Sequence, residues 1–427
     1  MRAVRLGEWG RRIIAAVAAA ALVAGASAPA PAQAAPASSS LVIAPEDQGA
    51  DRQQIRVATY NAGLTRPNAG DLVGDLGAPD DAQARAVAQV IQTNQPDVLL
   101  INEFDYDAGQ EAAGLFRTNY LGVSQQGQAP ADYPYFYTAP SNTGVPSGSD
   151  LNNDGTVGGP DDAYGHGDFQ GQSGMVVYSK YPIDKAAVRT FQNFLWRDMP
   201  GARLPVDPVA QGVGWFSEDE LDTVRLSSKS HWDIPVTVGN RTVHVLTSHP
   251  TSPVFDGSED RNGKRNFDEI RLWADYIQGG ETARYIYDDD GGVGGLGHSD
   301  RFVILGDLNS DPRDGDSLRG SIDQLLESRQ VQDPRPSADG ATEASVLQGA
   351  ANAGHRGDPQ HDTADFDDRG VGNLRADYVL PSRTLSVLGS GTYWPKAGTP
   401  GSHLTGIFPF PSSDHRLVHV DVKLRSS

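Results

Sequence analysis

The chain reads as an α+β fold, a sandwich of two mixed, mostly antiparallel sheets with helices on the outside. Three observations carry that expectation. Strand-like segments outnumber helix-like ones. Gly239-Asn240 lies between two alternating apolar runs, which is a hairpin signal and disfavours a purely parallel, doubly wound sheet. The length, 427 residues, suffices for one large domain.

Ile55 to Tyr60 alternates apolar and polar residues as a strand does. Asp80-Asp81 supplies a cap for a helix running to about Gln95, with Ala84, Val87, Val90 and Ile91 on one face, and Pro96 stops it. Val98 to Ile101 and Met175 to Tyr178 are continuous apolar runs, the mark of strands covered on both faces. Ile234 to Val238 and Thr242 to Thr247 form the hairpin. Asn266 to Gln278 predicts a helix with Ile270, Trp273, Ala274 and Ile277 on one face. Phe302 to Leu305 reads as a strand, Ser317 to Ser328 as a helix, Tyr378 to Leu380 as a strand, and Leu417 to Val422 as the last strand. Polar stretches at about 122–172, 196–228 and 333–373 interrupt this frame, and loops so long inside one domain carry function or lack order.

The first residues belong to neither sheet. Arg2, Arg5, Arg11 and Arg12 precede an apolar run from Ile13 to Ala24, which is short for a bilayer, and Ala32-Gln33-Ala34 is a small-residue cleavage site. Residues 1–34 therefore read as a signal peptide cleaved near Ala34, which predicts a secreted protein without a transmembrane segment. Residues 35–50, rich in Ala, Pro and Ser, read as a flexible linker, and 51–427 as a single catalytic domain. Removing 1–34 takes away four arginines and one glutamate, so the formal charge moves from -20 to -23. Such a surface repels polyanions and disfavours a protein that grips extended nucleic acid through many phosphates. With no cysteine there is neither a disulfide nor a zinc-thiolate site.

The chemistry collects at strand ends. Asn61 follows Tyr60, Asn102-Glu103 follow Leu99 to Ile101, and His249 closes Leu246-Thr247-Ser248. Asp307 and Asn309 follow Val303 to Gly306, and Ser413-Asp414-His415 precedes the last strand. Acids, amides and imidazoles delivered to one sheet edge suit a hard divalent cation and the hydrolysis of a phosphate ester. That reaction needs charge neutralisation on the phosphoryl oxygens, an activated water and a proton for the leaving oxygen. Glu103 sits on a backbone fixed by its strand and is a candidate metal ligand. Asp307 and Asn309, two residues apart, point the same way if the extended geometry continues. Asp414 and His415 pair a metal ligand with a titrating base.

Taken in order, Thr59-Tyr60-Asn61, Ile101-Asn102-Glu103, Ser248-His249, Gly306-Asp307-Leu308-Asn309, Arg375-Ala376-Asp377-Tyr378 and Ser413-Asp414-His415 resemble the motifs of the endonuclease/exonuclease/phosphatase superfamily. The resemblance covers about residues 51–424. It implies a four-layer sandwich, two central sheets flanked by helices. It implies Glu103 as principal metal ligand for Mg²⁺ (or Mn²⁺), helped by Asn61, with Asp414 supporting the metal. Asp307 would orient or activate water, and Asn309 would contact the phosphoryl group. His415, oriented by Asp377, would be the base or the phosphate-polarising group. His249 would serve the leaving group. Two positions depart from the pattern: Asn102 stands where the family usually has Gln, and Pro250 follows His249.

Two further clusters stand apart. Asp150, Asn152, Asp154, Thr156 and Asp161, with Gly155 at the sixth position, follow the spacing of a calcium loop, so Ca²⁺ is expected in 150–161, within an insertion at 122–172. Arg261, Lys264 and Arg265 form a basic segment ahead of the helix from Asn266, fit to grip a second anionic group of the substrate. Asp311, Asp314 and Asp316 are either an extension of the metal site or a simple acidic loop.

The reading is a monomeric, secreted, metal-dependent phosphoesterase acting on a small or lipid-linked mono- or diester. A secreted nuclease for DNA or RNA is the alternative with the same chemistry. A non-catalytic, calcium-stabilised binding module is the alternative of another class.

Overall fold

The computed structural model describes residues 54–210 and 212–424, so the expected signal peptide and linker lie outside the described residues. In chain order the strands are β1 (Gln54–Leu64), β2 (Val98–Phe104), β3 (Tyr135–Tyr137), β4 (Met175–Ser179), β5 (Arg189–Thr190), β6 (His231–Val238) and β7 (Arg241–Ser248). They continue with β8 (Phe302–Asp307), β9 (Ala364–Asp365), β10 (Asn373–Leu374), β11 (Asp377–Pro381), β12 (Leu385–Thr392) and β13 (Val418–Leu424).

One sheet runs β12-β13-β1-β2-β4-β3 and the other β11-β8-β7-β6-β5, with β9 and β10 as a separate pair. Only β1–β2 and β7–β8 pair in parallel, so both large sheets are mixed and mostly antiparallel. Successive side chains on a strand face opposite ways, and this alternation builds three cores. Ile55, Val57, Val98 and Leu100 meet Ile234, Val236, Val303 and Leu305 between the sheets. Ala58, Tyr60, Leu99 and Ile101 face the other way, onto Val87, Val90 and Ile91 of the helix Ala82–Asn94. Phe302 and Ile304 face Ile270, Leu272, Trp273 and Ile277 of the helix Arg261–Gln278. Three cores separate four layers, helix–sheet–sheet–helix.

The helix at 82–94 starts where the sequence puts it, because the Asp81 side chain accepts the Ala84 N–H at 2.7 Å. Two helices differ from expectation. The one expected from Asn266 begins at Arg261, five residues earlier, so Arg261, Lys264 and Arg265 lie inside its first turns. The one expected over 317–328 reduces to Asp323–Leu326, since Gly320 adopts a left-handed φ of 84° that interrupts it. The polar stretch 333–373 contains a helix, Asp339–Gln348, that its weak apolar contrast hides. No described helix is long and apolar enough to cross a membrane.

Candidate active site

The topology brings the C-terminal ends of β1, β2, β7 and β8 to one edge, and the residues there converge on Asp307. In the parallel ladder of β1 and β2, Asn61 pairs with Asn102 and Leu64 with Phe104. Two residues thus oppose one, a bulge that turns the side chain at its centre. That central residue is Glu103, with φ 55°. Asn309 is also left-handed, at φ 49°. Such non-glycine backbone costs roughly 1–3 kcal/mol and persists where the surroundings impose it. The expectation that the extended chain continues from Asp307 to Asn309 therefore fails. The chain folds back instead, and the Asn309 N–H bonds to Asp307 Oδ1 at 3.0 Å. Gly306 permits the approach of β8 to β7, since a Cβ there would meet the Ser248 carbonyl oxygen at 2.2 Å.

Asp307 Oδ2 receives the Asn61 amide at 3.0 Å and lies 3.3 Å from His249 Nε2 and 3.6 Å from His415 Nε2. Asn61 Nδ2 also donates to Glu103 Oε1 at 3.1 Å. His415 Nδ1 lies 2.8 Å from Asp377 Oδ2, which also accepts the Thr363 hydroxyl at 2.8 Å. Asp377 faces Asp307 directly across the β11–β8 ladder. Ser413 ties the last motif to the first: its hydroxyl donates to the Asn61 carbonyl at 2.7 Å and accepts the His415 N–H at 3.0 Å.

Electrostatics sort these groups. Burial pulls the His415 imidazole down, but Asp377 and Asp307 outweigh it and hold the ring well above its usual range. Burial pushes the Asp307 carboxyl up, yet His415, His249 and Asn61 together hold it below the usual carboxylate range. Burial also lifts Asp377 to about 6, against the pull of His415. A protonated imidazole thus sits between two acids.

Among the described residues, Asp307, Asp377 and His415 form a group of three whose possible ligand atoms all lie within 4.8 Å of one another. Both nitrogens of His415 face carboxylates, so a cation fits better toward Glu103. There, carboxylates from two different sheets converge on the Asn61 amide nitrogen, a donor placed where positive charge is wanted. The oxygens of Glu103 and the Asn61 amide, with Asp307 facing them, suit a hard divalent ion. Asp414 is half-buried beside this group, with the Ser413 hydroxyl 3.4 Å from its Oδ1.

Beside these lie one residue that the sequence marks only as a departure from the family motif, Asn102, and one that the sequence reading misses, Lys229. Asn102, fully buried, bridges the sheets: its Oδ1 accepts the Asp307 N–H at 3.2 Å and its Nδ2 donates to the Ser248 carbonyl at 3.4 Å. Lys229 lines a cavity of about 570 Å³ together with Glu103 and Arg261. Its ammonium has no hydrogen-bond partner among the described residues. Burial lowers its pKa, while Glu269, Glu103 and Asp307 oppose that shift.

The basic segment is mostly engaged elsewhere. Arg265 donates to the carbonyls of Leu226, Tyr164, Arg225 and Ser227, so it holds loops together. Lys264 bonds the Glu259 carbonyl and Arg261 pairs with the Glu259 carboxylate. Only Arg261 of the three also lines the cavity beside Glu103 without its guanidinium being tied to backbone carbonyls. Asp311 and Asp314 cap backbone N–H groups of residues 313, 314, 356, 357 and 375 and do not extend the metal site.

In the 150–161 loop, Asp150 accepts the N–H groups of Asp154 and Gly155 at 3.0 and 2.8 Å, Asn152 that of Asp154, and Asp154 that of Thr156. Asp161 turns to His166, 3.0 Å away. The acid that faces into the loop is Asp162, which accepts N–H groups from Leu151, Asn152 and Gly158.

Residues 58–415 match the Endonuclease/Exonuclease/phosphatase family. A structure of an endonuclease/exonuclease/phosphatase from Beutenbergia cavernae is 17% identical, with 87% of this chain and 72% of that one covered and a TM-score of 0.47. A mannosyl-6-phosphatase from Bacteroides thetaiotaomicron is 12% identical, with 86% and 99% covered and a TM-score of 0.42. A truncated Caenorhabditis elegans TDP2 is 14% identical, with 87% and 97% covered and a TM-score of 0.40. No curated protein matches the sequence.

Proposed function

This chain belongs to the endonuclease/exonuclease/phosphatase family and is a divalent-metal-dependent phosphoric ester hydrolase, and from that premise we propose that it is a secreted monomer hydrolysing small or lipid-linked phosphate esters. The observation that carries the reading is the convergence of Asn61, His249 and His415 on Asp307.

Glu103, Asn61 and Asp414 would hold Mg²⁺ or Mn²⁺. The ion, when bound, supplies charge neutralisation at the phosphoryl oxygens. Asp307, kept ionised by its neighbours, orients the attacking water and takes its proton as the water's oxygen bonds to phosphorus. His415, kept protonated, polarises the phosphoryl group rather than taking a proton. Asp377 and Thr363 fix its ring. Asn309 gives one amide N–H to the Pro250 carbonyl at 3.0 Å and has a second for a phosphoryl oxygen. His249 stands ready to protonate the leaving oxygen as the ester bond breaks and the new P–O bond forms. Lys229, and Arg261 beyond it, face the cavity and take the substrate's remaining negative charge.

The 150–161 loop lends Leu151 and Asp161 to the same cavity, and Ca²⁺ bound there would stiffen its wall. The acidic charge of -20 supports small esters over a nucleic-acid strand. The test is turnover of bis-p-nitrophenyl phosphate, p-nitrophenyl phosphate, inositol phosphates, sphingomyelin and plasmid DNA, with and without EDTA. We expect EDTA-sensitive hydrolysis of a small or lipid-linked ester at low and moderate salt alike. Rapid plasmid degradation that falls steeply with salt would replace this reading with the nuclease one. N-terminal sequencing of protein from the culture medium tests export, with cleavage expected after Ala34.

A further inference from the structure

A second cavity, of about 450 Å³, opens beside the phosphoryl site, and Ser252, Val254, Phe255 and Asn309 form the boundary on that side. Ser252, Val254 and Phe255 also line the first cavity, so the 252–255 segment divides the two. The second cavity is a different environment. Its walls are Val254, Phe255, Phe366, Val371 and Leu374. It is joined to the catalytic floor at two points. Asn309 lines it, and the Phe366 ring meets the His415 ring edge-on at 5.3 Å.

Phe255 is the unusual member. It is 91% exposed and sits at φ 66°. An exposed aromatic side chain on left-handed backbone gains nothing from burial to offset its strain. The segment is nevertheless pinned: Asn262 donates its amide to the Val254 carbonyl and its backbone N–H to Asp256, both at 2.6 Å. The fold therefore holds an apolar ring in water at the border of the two cavities.

The rim decides what the ring is for. Asp311, Asp314, Asp316 and Asp367 border this cavity. Four carboxylates repel a second phosphate, so a polynucleotide strand does not fit here. An uncharged apolar group does, because the walls are aliphatic and aromatic, Asp311 and Asp314 cap backbone N–H groups and Asp367 pairs with Arg369.

We propose that this groove binds the alkyl chain of a phosphate ester whose phosphoryl group lies on the Asp307 floor. The proposal rests on the phosphoesterase reading above and names its substrate class: amphiphilic esters with an alkyl arm in the apolar groove and the charged part toward Lys229.

Binding separates the groove from the chemistry. Calorimetry on the full chain with Mg²⁺ compares methylphosphonate with octylphosphonate, which carry no ester bond to hydrolyse. The wild type binds the octyl compound at least about ten-fold more tightly, since burying several methylenes is worth more than one decade. Phe255→Ala and Val371→Asp, at an exposed and a partly exposed position, each shrink the ratio to about three-fold or less, because one removes wall area and the other buries a charge. Equal affinity for the two phosphonates, or an undiminished ratio in both variants, overturns the groove. Hydrolysis of octyl p-nitrophenyl phosphate is measured alongside. A protein that prefers octylphosphonate but turns over no ester keeps the groove and loses the phosphoesterase reading. One that hydrolyses esters but binds both phosphonates alike keeps that reading and loses the groove.

Discussion

Asp307 and Asp162 are both buried carboxylates, 1% and 3% exposed, and they are held by opposite means. Asp307 takes its partners from distant strands: Asn61 is 246 residues away, and His249 and His415 come from two other elements. Asp162 takes backbone N–H groups from Leu151, Asn152 and Gly158, none more than 11 residues away. The first arrangement exists only when both sheets are assembled. The second is closed by one short segment. The floor is therefore as rigid as the fold and bears charges fixed in advance, which is what transition-state stabilisation requires. The loop answers mainly to its own sequence, and to a cation if one binds, so it opens without the floor opening.

The sharpest way to break this contrast is to remove charges from the floor. His415→Ala is expected to lower kcat by at least ~10²-fold, the usual loss when one preorganised charge-stabilising donor is removed. It also leaves Asp307 and Asp377 buried without their shared counter-charge, which destabilises by about 3–5 kcal/mol. Glu103→Ala should cost a similar factor in rate with little loss of stability, because Glu103 is half-buried and bonded through Asn61 alone. Lys229→Met should act mainly on KM, by about ten-fold, since an unpaired ammonium in the cavity binds charge that substrate and transition state share. Kinetics on one ester and thermal melts on each variant are the checks. Activity within a few-fold of wild type for His415→Ala or Glu103→Ala would remove Asp307 and its neighbours from the chemistry.

A smaller effect is expected at the loop. Calcium should slow proteolysis within 122–172 several-fold, because Asp150, Asn152 and Asp154 present oxygens that otherwise cap their own backbone. Asp162→Ala leaves three N–H groups without an acceptor, at roughly 1–3 kcal/mol for a buried one. That variant should be cut faster with or without the ion while its thermal midpoint stays close to wild type. Equal cleavage with and without calcium would mean the loop is set by the chain alone. A large fall in midpoint for Asp162→Ala would mean that loop and floor unfold together.

The floor was the more legible of the two regions. Each of its residues sits beside an apolar run, so strand ends could be read directly, and Asn61, His249, Asp307, Asp377 and His415 of the six motifs come together in the fold. Lys229 was missed although the signal existed. The hairpin turn at Gly239-Asn240 fixes the register, His231 opposite Ser248, so whatever precedes β6 lies beside His249. The start of the 261–278 helix was hidden because Asp260 caps it through no side-chain bond and takes a left-handed φ of 52°. Arg265 looked like a surface cation because its four carbonyl partners come from residues 164 and 225–227, which no local pattern connects to it. In the loop, spacing alone favoured Asp161 over Asp162, and only the backbone path through Pro160 decides which of two adjacent acids turns inward.

Asp362 sharpens the contrast from a third position. It is 7% exposed, like the acids of the floor and the loop, but it has neither imidazole nor backbone donors on its carboxylate among the described residues. Its charged neighbours are Asp311, Asp314 and Asp358. Burial first, and then these three acids, push its carboxyl up to about 8 from 3.8. Between those values the native protein holds a proton that the unfolded chain has released. Stability from this group is therefore complete below about pH 4 and is lost progressively as pH rises toward 8, the reverse of the slope that a paired Asp such as Asp307 produces. Asp362→Asn keeps the shape and removes the titration. The midpoint of the variant should exceed that of the wild type at pH 8 and approach it at pH 4.5, with hydrolysis as the control for an intact floor. A difference that is the same at both pH values would show that Asp362 does not retain its proton. The rule drawn from Asp307 and Asp162, that a buried acid here is ionised only where the fold supplies donors, would then fail at its simplest case.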